Sequence, residues 1–273
     1  MNTKLSFTKM HGCGNDYIFI EGANIQDDPA KLAIKLTNRN KSIGGDGIVL
    51  VLPSDKADAK MRMFNADGSE GQMCGNSIRC MAKYLHDRGS PSNMKIETAS
   101  GIRELSVSGN VVQVNMGLPE LAPEKIPVAL SGEVIIARKA TIGGQLFEIT
   151  CLSMGNPHCI IFHQDIEHCD LATIGQLFEK SDIFPQGINL GVVQMHSRNH
   201  LQMRVWERGT GETLSSGTGA CAAVVAATQI GYTDRDQDIT ADLAGGRLTI
   251  NYTPGGVLLS GEVETAFKGD VFI

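Results

Sequence analysis

One stretch of the sequence occurs twice and limits the folds that are open to the chain. Residues 64–80 are FNADGSEGQMCGNSIRC, and residues 206–222, which lie 142 positions later, are WERGTGETLSSGTGACA. Each pattern predicts a strand, then a glycine-rich loop, then the start of a helix. Cys74 stands just before the first predicted helix, and Ser216 stands at the same place before the second. The chain therefore has to fold around two similar α/β elements.

Further segments repeat in the same order and indicate an internal duplication. Asn15 and Asn156 are 141 residues apart, and residues 45–47 and 60–64 match 187–189 and 202–206 at 142. The first half, residues 1–117, contains two predicted strands within 5–20, helices over 29–39 and 77–88, and strands over 48–52 and 60–64. The second half, residues 118–263, contains predicted helices over 169–180 and 220–231. We expect the two halves to form one ligand cleft between them.

The composition is that of an ordinary globular protein and excludes several partners. The chain has 273 residues, 42% of them hydrophobic, and a formal net charge of −6, which argues against nucleic acid or an anionic membrane as a partner. The N-terminus has no apolar signal region and no run reaches transmembrane length, so we expect a cytoplasmic location. The seven cysteines lack disulfide-scaffold spacing and are interpreted as thiols.

The two predicted helix starts suggest a chemistry. The free N–H groups of a helix N-terminus bind anions, and the same positive end lowers the pKa of a thiol placed there. Two such starts can hold one carboxylate from both sides. A thiolate beside it can then take a proton from the adjacent carbon, and an acid on the opposite face can return one. This is two-base racemisation or epimerisation without a cofactor.

Structural interpretations compete for several of these residues. Cys74 alone could be a small buried hydrophobe, but its place at a duplicated helix start favours function. The other six cysteines are interpreted as structural, and no paired spacing of cysteine or histidine supports a metal site. His158 is expected to brace its loop. The asparagines could serve only to form turns.

The motifs HGCGNDY, NADGSEGQMCGNSIRC, MGNPH, FPQGIN and ERGTGETLSSGTGACA together resemble the diaminopimelate epimerase family over nearly the whole chain. The resemblance implies an α/β (α+β) fold of two pseudo-symmetric halves, each a mixed β-sheet wrapped around a central helix, with the active site in the cleft between them. It also implies that the last strand, within 264–273, returns to the N-terminal half. Members are isomerases that interconvert L,L- and meso-diaminopimelate for lysine and peptidoglycan synthesis. They need neither pyridoxal phosphate nor metal and are typically homodimers.

The resemblance also implies a role for individual residues. Cys74 corresponds to one catalytic cysteine, and Ser216 stands where the second is expected. Asn15 would lie near the reacting centre, and Glu207 would bind the distal ammonium. The reacting carboxylate would be bound by Gly75, Asn76, Gly217 and Thr218, and the distal carboxylate by Asn65, Asn156, Asn189 and Arg208.

Ser216 departs from the family pattern. A hydroxyl is a far weaker acid and base than a thiol, and no His or Lys adjoins it in the sequence. The serine is either an engineered replacement, which the otherwise intact motifs favour, or a natural divergence. We expect strongly reduced epimerisation with ligand binding retained.

Three other functions stay open at this point. The chain could be a racemase of another amino acid, such as histidine, or a one-thiol dehydratase of the same superfamily. It could also be a non-catalytic amino-acid-binding protein. Glu207, Arg208 and the asparagines argue against the first two, because they fit a substrate with a second amino-acid head.

Overall fold

The computed structural model describes residues 4–25 and 27–273, which divide into two compact units. Unit 1 comprises the described residues up to 115 together with 260–273, and unit 2 comprises residues 116–259. Each unit combines a mixed β-sheet with two α-helices. No helix of the described residues is both long enough and apolar enough to cross a membrane.

Unit 1 begins with a hairpin and ends with a strand that returns from the far end of the sequence. Its elements are β1 Lys4–Gly12, β2 Asn15–Glu21, α1 Pro29–Leu36, β3 Gly47–Leu52, β4 Ala59–Asn65, β5 Glu70–Gly71, α2 Gly75–His86, β6 Asn93–Thr98, β7 Gly101–Ser108, β8 Val111–Asn115 and β18 Glu264–Phe272. Strand β18 pairs antiparallel with β1, β1 with β2, and β2 runs parallel to β3. Strand β4 then pairs antiparallel with β3 and parallel with β6, and β7 and β8 continue from there.

The turn between β1 and β2 lies within the motif HGCGNDY and fixes the positions of its residues. Cys13 and Gly14 have φ angles of 53° and 76°. A two-residue hairpin turn with positive φ at both positions has the twist that antiparallel strands prefer. Gly14 adopts that conformation freely, and Cys13 adopts it at some cost in backbone energy. The turn fixes Gly12 opposite Asn15, so that Asn15 begins β2.

The central helix of unit 1 is α2, which contacts β1, β2, β6, β7 and β8. Nine of its twelve residues are buried. Helix α1 packs on β3 and β4, and apolar side chains of β1 to β4 form a core with it. The sheet therefore encloses α2, and only the ends of this helix can serve a ligand.

Unit 2 repeats this order. Its elements are β9 Ile135–Ile142, β10 Gln145–Ser153, β11 Pro157–Phe162, α3 Leu171–Glu179, β12 Asn189–Ser197, β13 His200–Glu207, β14 Gly211–Thr213, α4 Gly217–Gln229, β15 Asp238–Leu243 and β16 Gly246–Thr253. Strand β17, Gly256–Glu262, follows. As in unit 1, a parallel pair, β11 with β12, is followed by an antiparallel pair, β12 with β13, and by a parallel pair, β13 with β15.

The central helix of unit 2 is α4, which contacts β10, β11, β12, β13 and β16. Every residue from Ala220 to Ala227 has no exposed surface. A helix that is apolar on all sides needs such an enclosed position, and its small side chains let the strands approach closely. The two repeated halves with mixed sheets confirm the predicted fold class.

The helices begin and end at slightly different residues from those predicted. Helix α2 begins at Gly75 rather than at residue 77, and α4 begins at Gly217 rather than at 220. The apolar periodicity on which the predictions rested starts only inside each helix, whereas the first turn consists of small and polar residues. Cys74 and Ser216 are therefore the N-cap residues of the two central helices.

A close contact in unit 2 gives a test of its packing. A Cβ atom added to Gly175 of α3 would lie 2.4 Å from the Trp206 ring of β13. We predict that Gly175→Ala lowers the free energy of unfolding by about 1–3 kcal/mol, because overpacking outweighs the roughly 1 kcal/mol that alanine contributes to a helix. Chemical denaturation followed by circular dichroism measures this. The exposed neighbour Gln176 provides the control, since Gln176→Ala should be nearly neutral. A stabilised Gly175→Ala would contradict this account of the contact.

Candidate active site

The thiol of Cys74 lies at the N-terminus of α2. Cys74 has extended backbone angles (φ −133°, ψ 129°), and its side chain makes no capping hydrogen bond to the helix. Its side chain is half-buried, and the following residues Gly75 and Asn76 are buried. The first N–H groups of the helix have no acceptor within the helix, so this end attracts an anion.

Two side chains contact the Cys74 sulfur. The Tyr17 hydroxyl lies 3.3 Å from Sγ and donates to it, and Sγ lies 3.5 Å from Oδ1 of Asn15, which accepts from the thiol. Tyr17 is only 4% exposed. Burial, followed by its contact with Cys74, raises the pKa of Tyr17 well above its usual value. The hydroxyl therefore keeps its proton and remains a donor.

Hydrogen bonds at both ends fix the Asn15 amide. Its Nδ2 donates to Oδ2 of Asp46 at 2.6 Å, and its Oδ1 accepts from Nδ2 of Asn76 at 3.3 Å. A carboxylate can only accept, so the amide nitrogen must face Asp46 and the amide oxygen must face Cys74. These hydrogen bonds thus assign the orientation of the amide on chemical grounds.

An ion network fixes Asp46 and the residue beside Asn15. Arg39 donates to Asp46 at 2.8 Å and to both carboxylate oxygens of Asp16 at 2.7 and 3.0 Å, and Lys9 lies 2.8 Å from Asp16. Burial acts to raise the pKa of Asp16, but hydrogen bonds from Arg39 and Lys9 outweigh it and lower that pKa to about 2. The network therefore stays charged at neutral pH and holds the Asn15 segment against the loop before β3.

Arg79, one turn into α2, has no exposed surface. Its Nη1 donates to the carbonyl of Gly75 at 3.1 Å, and its Nη2 donates to Oδ1 of Asn76 at 3.0 Å. Asn76 therefore turns its Nδ2 toward Asn15. A chain of hydrogen bonds runs from Arg79 through Asn76 and Asn15 to Cys74.

Ser216 occupies the equivalent position in unit 2 but bonds differently. It is 5% exposed, and its Oγ accepts a hydrogen bond from the N–H of Gly219 at 3.2 Å. This is the usual capping interaction of serine, which Cys74 does not make in α2. Gly217 is buried and Thr218 is half-buried in the same first turn.

A second group of predicted residues comes together elsewhere in unit 2. Nε2 of His158 donates to Oδ1 of Asn156 at 3.0 Å. Asn189 donates from Nδ2 to the carbonyl of Pro157 at 2.8 Å and accepts the N–H of Arg208 at 3.0 Å. The Arg208 side chain donates one hydrogen bond, to the carbonyl of Gln186 at 2.8 Å. These contacts join Asn156, Asn189 and Arg208 in one cluster.

Glu207 and Asn65 end equivalent strands, β13 and β4. Glu207 accepts a hydrogen bond from the Thr213 hydroxyl at 2.5 Å, and Asn65 donates to the Ser69 hydroxyl at 2.9 Å. Asn65 belongs to unit 1, whereas the other residues predicted to bind a distal head belong to unit 2. Within unit 1, Asn65 lies opposite Gly47, which in turn lies beside Tyr17.

His158 is a fully buried titratable group beside this cluster. It has no exposed surface, and its Nδ1 has no hydrogen-bond partner among the described residues. Burial, assisted by the positive charge of Arg208, lowers the pKa of His158 to about 3. The imidazole is therefore neutral at physiological pH and carries its proton on Nε2, where Asn156 accepts it.

The structure thus brings Asn15, Cys74 and Asn76 together in unit 1, and Asn156, Asn189 and Arg208 together in unit 2. Sequence reasoning assigned no role to Tyr17, Asp46 or Arg79. Tyr17 and Arg79 lie inside quoted motifs, and Asp46 lies in the repeated segment 45–47. Tyr17 and Cys74 are 57 positions apart, so only the strand pairing reveals their contact. Among the described residues, no three His, Cys, Asp or Glu side chains lie close enough together to hold a metal ion.

Comparison with known proteins places the chain among relatives of similar length. A family model for diaminopimelate epimerase matches twice, over residues 7–122 and 150–265. A diaminopimelate epimerase of Desulfitobacterium hafniense is 45% identical, with 97% of each chain covered. One of Desulfovibrio desulfuricans is 45% identical over 100% of each, and one of Methanococcus maripaludis is 42% identical over 98% of this chain and 100% of its own.

Solved structures of lower sequence identity share the fold. A phenazine biosynthesis protein of the PhzF family from Bacillus anthracis aligns with a TM-score of 0.73 at 16% identity, covering 99% of this chain and 100% of its own. A hydroxyproline epimerase from Agrobacterium vitis, with bound trans-4-hydroxy-L-proline, aligns at 0.71 and 13% identity, covering 99% and 93%.

The double match corresponds to the two repeated units, and it includes both central helices with Cys74 and Ser216 at their starts. The relatives match from end to end and bear the name of one isomerase. The chain therefore belongs to the diaminopimelate epimerase family.

Proposed function

We propose that this chain binds diaminopimelate and is built to interconvert its L,L and meso forms, with its turnover reduced by Ser216. The observation that carries the proposal is the Cys74 thiol at the uncapped N-terminus of α2, beside a fixed asparagine amide. This places a base next to an anion-binding helix end. An α-proton becomes easier to remove when the developing negative charge on the adjacent carboxylate is stabilised.

In this proposal the first half-reaction belongs to unit 1. The N–H groups of Gly75 and Asn76 bind the reacting carboxylate, and the Cys74 thiolate takes the α-proton. Asn15 then accepts a hydrogen bond from the newly formed thiol, because its oxygen already faces the sulfur. No cofactor takes part in these steps, since acid, base and anion-binding groups all come from the chain.

The second half-reaction is the one that Ser216 impairs. Gly217 and Thr218 offer the equivalent N–H groups of α4 to the carboxylate. The Ser216 hydroxyl, however, accepts a hydrogen bond from Gly219 and has a much higher pKa than a thiol. The hydroxyl occupies the position of the expected acid, but it cannot deliver a proton at a rate comparable with that of a thiol.

The distal amino-acid head is assigned to the cluster in unit 2 and to Asn65. Arg208 uses one of its five N–H groups on Gln186, which leaves donors for a carboxylate. Asn156 accepts from His158 through its oxygen, so its amide nitrogen is the end suited to a carboxylate. Asn189 holds the Arg208 backbone, and Glu207 supplies the negative charge for the distal ammonium.

The proposal also includes two properties taken from the family resemblance, a homodimeric state and a cytoplasmic location. Light scattering coupled to size-exclusion chromatography measures the first, and fractionation of expressing cells measures the second.

Replacing Ser216 by cysteine tests the proposed role of this position. We predict that Ser216→Cys raises the rate of epimerisation at least about 100-fold, because a positioned acid or base contributes roughly 10²–10⁴-fold. It should also lower the free energy of unfolding by about 1 kcal/mol, because the helix cap is lost. Turnover is measured in D₂O as α-deuterium incorporation and as formation of the meso form from the L,L form.

Two further variants serve as controls. Ser216→Ala should lose the same cap without gaining turnover, and Cys74→Ala in the Ser216→Cys protein should abolish it. Exchange of the α-proton without inversion would mean that one base works, and loss of water or ammonia would indicate a dehydratase. If Ser216→Cys brought no gain in epimerisation, the proposed reaction would be wrong.

Measurements of ligand binding test, separately from turnover, whether the cluster in unit 2 and Asn65 bind the distal amino-acid head. We predict that the chain binds diaminopimelate in calorimetric titration and binds L-lysine at least tenfold more weakly, because lysine lacks the distal carboxylate and its charged hydrogen bonds. Arg208→Met should weaken diaminopimelate binding and leave lysine binding nearly unchanged. The matched control is Arg198→Met, since the Arg198 guanidinium is bound to Asp234. Equal affinity for both ligands would contradict the assignment.

The buried His158 leads to a prediction about pH. The pKa of His158 is about 3 in the folded chain, below its ordinary value of 6.5. The unfolded chain therefore binds the proton first, and folding stability falls as pH drops from 6.5 toward 3. In the His158→Gln variant the glutamine keeps a donor to Asn156. We predict that the free energy of unfolding of this variant falls by about 2 kcal/mol less than that of the parent between pH 6.5 and pH 4.5. Urea denaturation at each pH measures this.

The exposed His163 supplies the control, since His163→Gln should follow the parent curve. A His158→Gln protein whose stability fell as steeply as that of the parent would show that His158 does not resist protonation.

A further inference from the structure

The Cys74 sulfur has one neighbour that donates a hydrogen bond and one that accepts. The Tyr17 hydroxyl lies 3.3 Å from Sγ, and the Asn15 amide oxygen lies 3.5 Å from it. These two contacts act on different protonation states of the sulfur. A thiolate is stabilised by a donor and repelled by an amide oxygen, whereas a thiol can use both.

The fold fixes the Tyr17 side chain in this position. Tyr17 is paired with Gly47 of the parallel strand β3. A Cβ atom added to Gly47 would lie 3.0 Å from the Tyr17 ring, so the ring packs closely against this glycine. The hydroxyl is buried together with the ring, and a buried hydroxyl needs a hydrogen-bond partner. The described contacts place this hydroxyl 3.3 Å from the Cys74 sulfur, to which it donates, and beside the Asn15 amide.

We propose that Tyr17 is a positioning residue for the reacting thiol, and that its hydroxyl donates a hydrogen bond that stabilises the thiolate form of Cys74. The inference rests on the proposed function, in which Cys74 is the base. A hydrogen bond to a charged acceptor is stronger than one to a neutral acceptor. The contact therefore favours the state of Cys74 that can remove a proton.

Asn15 stabilises the protonated thiol rather than the thiolate, and this is the second part of the proposal. When the thiolate takes a proton, the new S–H can donate to Oδ1 of Asn15, which cannot turn away because its amide nitrogen is bound to Asp46. The C–H bond breaks and the S–H bond forms from a sulfur lone pair, and the electron pair of the C–H bond stays on the α-carbon and is delocalised into the adjacent carboxylate. Tyr17 thus supports the sulfur before the transfer, and Asn15 supports it afterwards.

Alkylation of Cys74 tests the proposal in the chain as it exists, without substrate. The rate constant for reaction with iodoacetamide is measured from pH 5.5 to 10, with peptide mass spectrometry to separate Cys74 from the half-buried Cys169. In Tyr17→Phe we expect about a tenfold smaller thiolate fraction at neutral pH. Because a more basic thiolate is also a better nucleophile, the alkylation rate should fall about threefold at neutral pH and rise about threefold at the alkaline plateau.

Tyr84→Phe is the matched control. Tyr84 is also 4% exposed and lies in the same unit, but its hydroxyl donates to Glu21 at 2.7 Å. This variant should follow the parent profile. A Tyr17→Phe profile that coincided with that of the parent, or that moved to lower pH, would overturn the proposal.

The buried thiols report whether each variant is folded. Cys13 and Cys80 are buried in unit 1 and should stay unreactive in the native protein. If Tyr17→Phe exposes them, Tyr17→Met, which also lacks the hydroxyl, replaces it in the same measurement. Exposure in both variants would make the hydroxyl a determinant of folding and would also overturn the proposal. Failure of diaminopimelate binding would leave this result unaffected, so the two proposals can fail separately.

Discussion

The hydrogen-bonding requirement of a buried helix end governs both halves of this molecule. Helices α2 and α4 are enclosed by strands, so the N–H groups of their first turns need acceptors from a side chain or a ligand. Ser216 supplies such an acceptor to α4, and Cys74 makes no such contact in α2. Because the Cys74 side chain does not cap α2, its sulfur contacts Tyr17 and Asn15 instead.

The orientation of one amide determines the surroundings of that sulfur. The Asn15 oxygen faces Cys74 only because the amide nitrogen is bound to Asp46 and the oxygen also accepts from Asn76. Asp46 is held by Arg39, and Asn76 is held by Arg79. Arg39 is exposed and Arg79 is fully buried, so the surroundings of the thiol depend on one charge at the surface and one in the interior. Removing either arginine would change the amides that surround the Cys74 sulfur, without a change at Cys74 itself.

The sequence was sufficient to predict the duplication, the four helices and the position of Cys74, because glycine-rich loops and helix starts are local features that recur at a constant offset. It could not reveal the contacts that give these residues their properties. The Tyr17–Cys74 contact depends on the register of β2 against β3, which sequence periodicity does not specify. Asn189 shows the same limit. Its amide bonds to two backbone groups, and no pattern in the sequence distinguishes this bracing role from a role in binding.

The duplication places Tyr17 and His158 at equivalent positions. Tyr17 pairs with Gly47 between parallel strands of unit 1, and His158 pairs with Asn189 between the corresponding strands of unit 2. Each position holds a buried ring that donates one hydrogen bond, but in one unit the acceptor is a thiol and in the other it is an amide. The Tyr17 hydroxyl contacts a residue of unit 1 and the His158 imidazole contacts a residue of unit 2, so a substitution at either position acts first on its own unit. The duplicated fold thus offers the same structural position twice, and the side chain at one copy can change while the hydrogen bond at the other copy is kept.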